Sequence, residues 1–273
     1  MSRMAAVIVD TYADNRLARL AIERTVQTGL VDQVHTFSTA PIYPGEVFHR
    51  INPIHSAADY SHFMLNIVPH CVDADATLVI QWDGMPCDRS AWRDEFLQYD
   101  YIGAPWGHCD PSVAVGNGGF SLRSRKLMQA LARLKIRCDP ALPESDAEDV
   151  VICRHHRADM LQAGCRFAPL ALAHQFAFEN ERQSPSFGFH GVFNFPGLLR
   201  EQDLLGCAAE LCQRTGRDMF LINYLLACLR SGYQSAYLEL VQALQRQERG
   251  QGIAHTLQQL GRHLPGLATA DAS

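Results

Sequence analysis

The sequence predicts an α/β protein with a mostly parallel sheet flanked by helices, followed by an all-helical C-terminal appendage. Residues 5–9 form a short apolar run rich in β-branched side chains, which is typical of a buried parallel strand. An amphipathic stretch and a second such run at 34–37 follow, and this β-α-β order indicates a doubly wound sheet. Beyond residue 200 the sequence shows only helical periodicity. We therefore predict an α/β domain over residues 1–200 and a helical extension over 201–273.

Helical periodicity and turn residues divide the predicted α/β domain into further elements. Apolar residues recur at spacings of three and four over 57–67, where Ser56 is a candidate N-cap. An apolar run at 76–82 predicts another buried strand, which ends abruptly at Asp83 and Gly84. Further helices are predicted over 124–134 and from Glu148 to about Gly164, and irregular segments at 41–53, 139–146 and 168–196.

The tail contains four amphipathic helical patterns. Such helices most often pack on their own domain, but they also form homo-oligomers or dock to a membrane-bound assembly, and the sequence leaves these roles open. The apolar positions are Leu204, Ala208 and Leu211; Leu221, Leu225 and Cys228; Tyr237, Val241 and Leu244; and Ile253, Leu257 and Leu260.

Composition excludes several classes of protein. Of the 273 residues, 47% are hydrophobic and 19% are charged, which is unlike a disordered chain. A net charge of −5 provides no basic field, so nucleic acid is not an expected partner. No run approaches the roughly 20 apolar residues that span a bilayer, and the N-terminal apolar run is too short for a signal peptide. We therefore expect a cytoplasmic protein, either free or peripheral at the inner membrane face.

Polar residues follow two of the predicted buried strands. Ligands of open α/β sheets bind beyond the carboxyl ends of the strands, so these positions are the first candidates for a site. Asp10, Thr11 and Tyr12 could hydrogen-bond to and stack on a nucleotide base, although helix N-capping explains them equally well. Asp83, followed by Gly84, suits a hard cation such as Mg²⁺ or Mn²⁺, whereas Asp-Gly is also a common turn.

Two further segments carry residues suited to chemistry. Residues 116–119, Gly-Asn-Gly-Gly, lack the spacing of a dinucleotide fingerprint or a phosphate loop. They predict either close packing against a ligand or another backbone segment, or an ordinary turn. Glu148 and Asp149 begin a predicted helix, where the helix dipole stabilises carboxylates. They are therefore either simple helix-end residues or a source of a general base.

A histidine and three tryptophans complete the candidates. His190 lies among aromatic residues and glycines, which is typical of a structural histidine, although imidazole is also a metal ligand and a base. Trp82, Trp92 and Trp106 include candidate platforms for a sugar ring, with core packing as the alternative.

Five short segments occur in order within residues 4–196. They are Val-Ile-Gln-Trp-Asp-Gly at 79–84, Tyr-Asp-Tyr-Ile-Gly-Ala-Pro-Trp at 99–106, Val-Gly-Asn-Gly-Gly-Phe-Ser-Leu-Arg at 115–123, Glu-Asp-Val at 148–150 and Phe-Gly-Phe-His-Gly at 187–191. Together they resemble a bacterial family of unknown function that is described as glycosyltransferase-like. That family is similar to GT-A glycosyltransferases, and the resemblance implies a Rossmann-like, nucleotide-sugar-binding α/β domain.

The resemblance also implies roles for the candidate residues. GT-A enzymes usually carry Asp-x-Asp at the metal-binding strand, whereas residues 81–84 offer one carboxylate, so the need for Mn²⁺ or Mg²⁺ stays open. By position, the metal and diphosphate would be contacted by Asp83 and Gly84, with His190 as a second metal ligand. The nucleotide would be contacted by Asp10, Thr11 and Tyr12, and the sugar and acceptor would be bordered by Trp106, Asn117, Gly118 and Gly119. The catalytic base would be Asp149, with Glu148 beside it.

Three functions are consistent with these residues. The first is transfer of a sugar, with inversion, from a nucleoside-diphosphate sugar to the hydroxyl of a glycan or other acceptor. The second is a metal-dependent phosphoesterase or nucleotide-sugar hydrolase that uses Asp83, Asp149 and His190 on a bound water. The third is a non-catalytic binding protein that recruits a partner through its tail. Transfer to an added acceptor distinguishes the first from the second, and absence of nucleotide binding would favour the third.

Overall fold

A computed structural model describes residues 3–183, 185–247, 249–259 and 264–266. The chain divides into two compact units, Met1–His190 and Gly191–Ser273. The first unit is a mixed α/β structure, and the described part of the second is helical. The predicted fold class is therefore confirmed.

The first unit contains two β-sheets. Its strands are β1 (Met4–Val9), β2 (Gln33–Ser38), β3 (Val47–Arg50), β4 (Ala76–Ile80), β5 (Gly84–Pro86), β6 (Tyr101–Gly103), β7 (Phe120–Ser124), β8 (Ala177–Phe178) and β9 (Gly188–His190). Six of them form the main sheet in the order β3-β2-β1-β4-β7-β6, in which β1 to β4 are parallel and β7 is antiparallel to both of its neighbours. A small sheet has the order β5-β9-β8.

Helices cover the main sheet. They are α1 (Arg16–Gln27), α2 (Ala57–Asn66), α3 (Val68–Cys71), α4 (Arg125–Leu134), α5 (Glu148–Val150), α6 (Arg157–Gln162) and α7 (Leu170–Phe176). Ser56 caps α2 as predicted, because its hydroxyl accepts a hydrogen bond from the backbone N–H of Asp59 at 3.0 Å. Every residue of β4 is buried, and since successive side chains point to opposite faces, both faces of the sheet are covered there.

Three predicted segments differ in the structure. The edge strand β3 lies inside the segment predicted to be irregular at 41–53; it is only partly buried and therefore needs no apolar run. The segment at 168–196 contains α7, β8 and β9, because short elements carry too few residues to show a period. The single helix predicted from Glu148 is interrupted by a π-helical turn at Val151–His155.

His35 and His49 lie side by side on the parallel strands β2 and β3. Nδ1 of His35 is 3.0 Å from Nε2 of His49, and the His49 ring stacks on Phe37 with centroids 4.3 Å apart. Burial lowers the pKa of both imidazoles, and the charges of His49 and Arg3 lower the pKa of His35 further. The fold therefore favours the neutral pair. Its contribution to stability is present above the ordinary histidine pKa of about 6.5 and is lost as the pH falls through the lowered values.

We expect the temperature midpoint of unfolding to decrease when the pH is lowered from 7 to 5, and to decrease less in His49→Phe. Phenylalanine keeps an aromatic ring over Phe37 but removes one protonation site from the pair. Thermal denaturation of both proteins at each pH measures the difference. An equal fall in the two proteins would show that the pair does not contribute to the acid sensitivity.

The second unit consists of helices in its described part. They are α8 (Phe195–Leu198), α9 (Glu201–Leu204), α10 (Ala208–Arg214), α11 (Asp218–Ser231), α12 (Gln234–Arg246) and α13 (Arg249–Gln259). The first predicted pattern is split between α9 and α10, since Gly206 adopts a positive φ of 76° between them. The other apolar positions are buried, except that Leu260 lies outside the described residues. No helix in the described ranges has the length and apolar character to cross a bilayer.

Candidate functional site

The candidate site begins where β4 ends. Gln81 and Gly84 exchange two backbone hydrogen bonds of 3.1 and 3.0 Å, so Trp82 and Asp83 form a two-residue turn between β4 and β5. A Cβ at Gly84 would lie 2.3 Å from the carbonyl oxygen of Gly119, so only glycine fits. Asp83 therefore occupies a turn, which was one of the two roles predicted for it. The turn lies at the carboxyl end of a central strand, where ligands of α/β sheets bind.

His190 ends β9 and contacts polar groups through both ring nitrogens. Nε2 lies 3.5 Å from Oδ1 of Asp83 and 3.3 Å from Oε1 of Gln81. Nδ1 lies 3.1 Å from Oε1 of Glu179 and 3.2 Å from Nδ2 of Asn117. Burial lowers the pKa of His190, but the carboxylates of Asp83 and Glu179 outweigh burial and raise it well above its ordinary value. The histidine is well partnered and also lies beside the Asp83 turn.

The glycine run at 116–119 passes close to three side chains of the site. A Cβ at Gly116 would lie 2.2 Å from the ring of Trp106, one at Gly118 would lie 2.7 Å from Glu148 Oε1, and one at Gly119 would lie 2.2 Å from Nε2 of His190. Asn117 is buried within the run, and its Oδ1 accepts a hydrogen bond from the N–H of Gly119 at 3.1 Å. The run therefore serves close packing, which was one of its two predicted roles.

Asp149 lies in α5, opposite Gly118. Its Oδ2 accepts a hydrogen bond from the N–H of Gly118 and its Oδ1 accepts one from the N–H of Val150, both at 2.8 Å. Burial, followed by the neighbouring carboxylate of Glu148, raises the pKa of Asp149 to about 7. A carboxyl group with this pKa gains and loses a proton near neutral pH, which is the property required of a general base.

Glu148 is buried in an ion pair with Arg123. Its Oε1 lies 2.5 Å from Nη2 of Arg123, which comes from β7 and is fully buried. The guanidinium carbon of Arg123 also lies 5.5 Å from the ring centroid of Tyr101, whose hydroxyl donates to the carbonyl oxygen of Gly116 at 2.6 Å. The ion pair therefore holds one carboxylate beside Asp149, and the same cluster supports the glycine run.

Asp10, Thr11 and Tyr12 follow β1, the strand next to β4. Oδ1 of Asp10 accepts a hydrogen bond from the N–H of Tyr12 at 3.1 Å, and Oγ1 of Thr11 accepts one from the N–H of Ile54 at 2.9 Å. The N-cap position of α1 is Asn15, because that helix begins at Arg16, so none of the three residues occupies it. The N-cap alternative is therefore wrong. Tyr12 is 43% exposed, so its ring is accessible at the carboxyl edge of the sheet.

Four residues of this cluster were missed as candidates. Gln81 and Arg123 belong to the segments at 79–84 and 115–123 that carry the family resemblance, so their positions were visible although their roles were not. Tyr60 lay in a helical apolar pattern, but its hydroxyl accepts a hydrogen bond from Nε2 of Gln81 at 2.8 Å. Glu179 follows a two-residue strand, where the sequence provides no periodic signal.

Asp83 and His190 are the residues that could hold a divalent cation, as a two-ligand site. Oδ1 of Asp83 is buried and accepts no hydrogen bond of normal length within the described chain, while Glu179 holds the far nitrogen of His190. Mg²⁺ is commonly bound by one or two protein ligands, with phosphate oxygens and waters completing the shell. No group of three or more His, Cys, Asp or Glu side chains in the described ranges is arranged to hold a metal. A cation at this position would therefore depend on oxygens of a bound ligand.

The chain belongs to the family "Protein of unknown function (DUF5672)", whose model matches residues 46–190. The predicted membership of a family of unknown function is thus confirmed, and the matched range contains the Asp83 turn, the glycine run, the acidic pair and His190. No curated protein matches the sequence.

Two solved structures are similar to this chain at low identity. A glycosyltransferase involved in the glycosylation of the major capsid of PBCV-1 has 9% identity and a TM-score of 0.45, and the match covers 69% of this chain and 92% of that one. The bifunctional IspDF from Campylobacter jejuni has 8% identity and a TM-score of 0.36, with 61% of this chain and 48% of that one covered.

Proposed function

We propose that this protein is a glycosyltransferase that transfers a sugar from a nucleoside-diphosphate sugar to an acceptor hydroxyl. The observation that carries the proposal is Asp149, a carboxyl group whose pKa is raised to about 7 and which is held against Gly118. The motif order resembles a glycosyltransferase-like family that is similar to GT-A glycosyltransferases, and this resemblance supports the same assignment. Carbohydrate biosynthesis in the cytoplasm, or at the inner membrane face, is the corresponding setting.

In this proposal Asp149 is the general base. The acceptor oxygen attacks the anomeric carbon while its proton passes to a carboxylate oxygen of Asp149, and the bond from the anomeric carbon to the diphosphate breaks. A single displacement of this kind inverts the anomeric configuration. Glu148 acts through Asp149 rather than on substrate, because it is buried against Arg123. It is therefore a positioning residue, and not a second base.

The remaining residues would bind the donor. Asp83 and His190 would hold Mn²⁺ or Mg²⁺, which when bound neutralises charge on the diphosphate leaving group. Asp10, Thr11 and Tyr12 would contact the nucleotide at the end of β1, where the Tyr12 ring is accessible. The glycine run, with Gly84 and Trp106, would border the sugar and the acceptor, because its close packing holds Asp149 and His190 against one stretch of backbone.

We expect one nucleoside diphosphate to raise the thermal midpoint of the protein by several degrees in the presence of Mn²⁺. A ligand at about 100 times its Kd stabilises the fold by about 2.7 kcal/mol. Asp83→Ala should abolish the part of the shift that requires Mn²⁺, because it removes the buried carboxylate oxygen. Asp88→Ala is the matched control, since Asp88 instead accepts hydrogen bonds from Ser90 at the start of a short helical turn.

Other outcomes separate the alternative functions. No shift with any nucleotide would contradict the transferase and favour a binding protein. A shift that persists without Mn²⁺ and in Asp83→Ala would remove the cation from the proposal but retain nucleotide binding. Release of free sugar from the donor, unchanged by added acceptors, would identify a hydrolase instead.

A further inference from the structure

A cavity of 270 Å³ lies beside the candidate site in the first unit. One wall is formed by the loop between β6 and the glycine run, which is closed by a hydrogen bond from the N–H of Trp106 to the carbonyl oxygen of Ala114 at 2.7 Å. The other wall is formed by α7, by Phe178 of β8 and by the residues that follow β8. None of the roles assigned so far uses this space as a whole.

Two residues connect the cavity to the site. Glu179 lines the cavity, and its Oε1 is 3.1 Å from Nδ1 of His190. Trp106 also lines the cavity, and its ring packs on Gly116 at the start of the glycine run. His190 also lies beside Asp83, and Gly116 lies two residues before Gly118, which contacts Asp149, so the cavity adjoins the candidate site through these two side chains.

The charges of the cavity disfavour phosphate. Glu179 and Glu181 line it, and none of its described lining residues is lysine or arginine. The nearby Arg182 is not a lining residue, and its guanidinium carbon lies 5.5 Å from the ring centroid of Phe178. A phosphate group in this space would meet the carboxylates of Glu181 and of Glu179, which also contacts His190, and no lining lysine or arginine, so a nucleotide diphosphate or a sugar phosphate does not suit it.

The walls suit a single sugar ring. Trp106, Leu170 and Phe178 provide aromatic and aliphatic surface for the apolar face of a pyranose, while carboxylates accept hydrogen bonds from its hydroxyls. Drug-sized ligands occupy pockets of about 300 to 1,000 Å³, and a cavity of 270 Å³ falls just below that range. The volume therefore matches one ring rather than an extended glycan.

We propose that this cavity binds the terminal sugar of the acceptor, as a neutral carbohydrate ring without a phosphate group. The inference rests on the proposed function, since it names the acceptor class for the same site. It extends that proposal because the two substrates would bind in spaces of different charge. The donor's diphosphate would lie beside a cation, and the acceptor's uncharged ring would lie beside carboxylates.

The test measures binding of methyl glycosides of neutral hexoses, and of their 6-phosphates, by ligand-observed NMR titration. Gly107 lines the cavity, and a Cβ there meets no atom within 4 Å, so the position accepts a side chain and Gly107→Leu is the variant chosen to reduce the cavity. Gly216 also has no atom within 4 Å of its Cβ but belongs to the second unit, so Gly216→Leu is the matched control. Glu181→Gln is a second variant, because it changes the charge of the wall and not its shape.

At least one glycoside should bind the wild type and Gly216→Leu with the same affinity, and Gly107→Leu about tenfold more weakly. The wild type should bind this glycoside about tenfold more tightly than its 6-phosphate. In Glu181→Gln the difference in affinity between the glycoside and its 6-phosphate should be smaller than in the wild type. The proposal is overturned if no glycoside binds, if Gly107→Leu binds as well as the wild type, or if the 6-phosphate binds more tightly. Nucleotide binding, measured by thermal shift on the same proteins, separates the two proposals. Glycoside binding without nucleotide binding would contradict the transferase alone, and nucleotide turnover without glycoside binding would contradict the cavity assignment alone.

Discussion

Asp149→Asn should lower turnover by about 100-fold or more, because a lost general base typically costs that much. Asparagine has nearly the same shape but retains only one of the two oxygens that accept hydrogen bonds from Gly118 and Val150, so the thermal midpoint of the variant is measured with its turnover to distinguish lost proton transfer from misfolding. Asp146→Asn is the matched control, since Asp146 is exposed in the preceding loop. Near-normal turnover in Asp149→Asn would exclude Asp149 as the base.

The same assignment predicts the pH dependence of the wild type. A base must be deprotonated to accept a proton, and the pKa of Asp149 is raised to about 7. We therefore expect kcat/KM to rise as the pH is raised through about 7, and Asp149→Asn to lack this limb.

Arg123→Met should destabilise the first unit by about 3–5 kcal/mol, because it leaves the Glu148 carboxylate buried without its partner. The pair is almost completely inaccessible, with 0% of the Arg123 side chain and 4% of the Glu148 side chain exposed. The free energy of unfolding from urea denaturation measures the loss. In the double variant Arg123→Met/Glu148→Leu most of the stability should return, since no unpaired charge remains.

The double variant also tests how the pair affects catalysis. The carboxylate of Glu148 raises the pKa of Asp149 more than Arg123 lowers it, so removing both charges should move the acid limb of kcat/KM to lower pH. A stable double variant with an unmoved limb would show that the pair is only structural. Equal stability of Arg123→Met and the wild type would contradict the buried ion pair itself.

The main sheet was predictable because its inner strands carry a strong local signal. β1 and β4 are buried on both faces, so nearly every residue in them is apolar. The edge strand β3 and the two-residue β8 had no such signal, because pairing with a neighbour and not their own composition makes them strands. Their prediction requires knowledge of contacts that are distant in sequence.

The same difference between local signals and contacts distant in sequence applies to the candidate site. Asp83, Asp149 and His190 were identifiable because a carboxylate or an imidazole beside a strand end, a helix start or glycines suggests chemistry. Arg123 and Glu179 act through residues 25 and 11 positions away in the chain, so only the folded structure shows what they contact.

The glycine run gives the site a fixed internal spacing. Gly118 contacts Asp149 and its neighbour Gly119 contacts His190, so the carboxyl group and the imidazole lie against adjacent residues of one backbone segment. Adjacent Cα atoms are about 3.8 Å apart in any trans peptide, whatever the surrounding side chains. The distance between the two chemical functions is thus tied to covalent geometry. Under the proposed function, loops around the site can therefore change in length or sequence, and with them the preferred sugar, while Asp149 and His190 keep their separation.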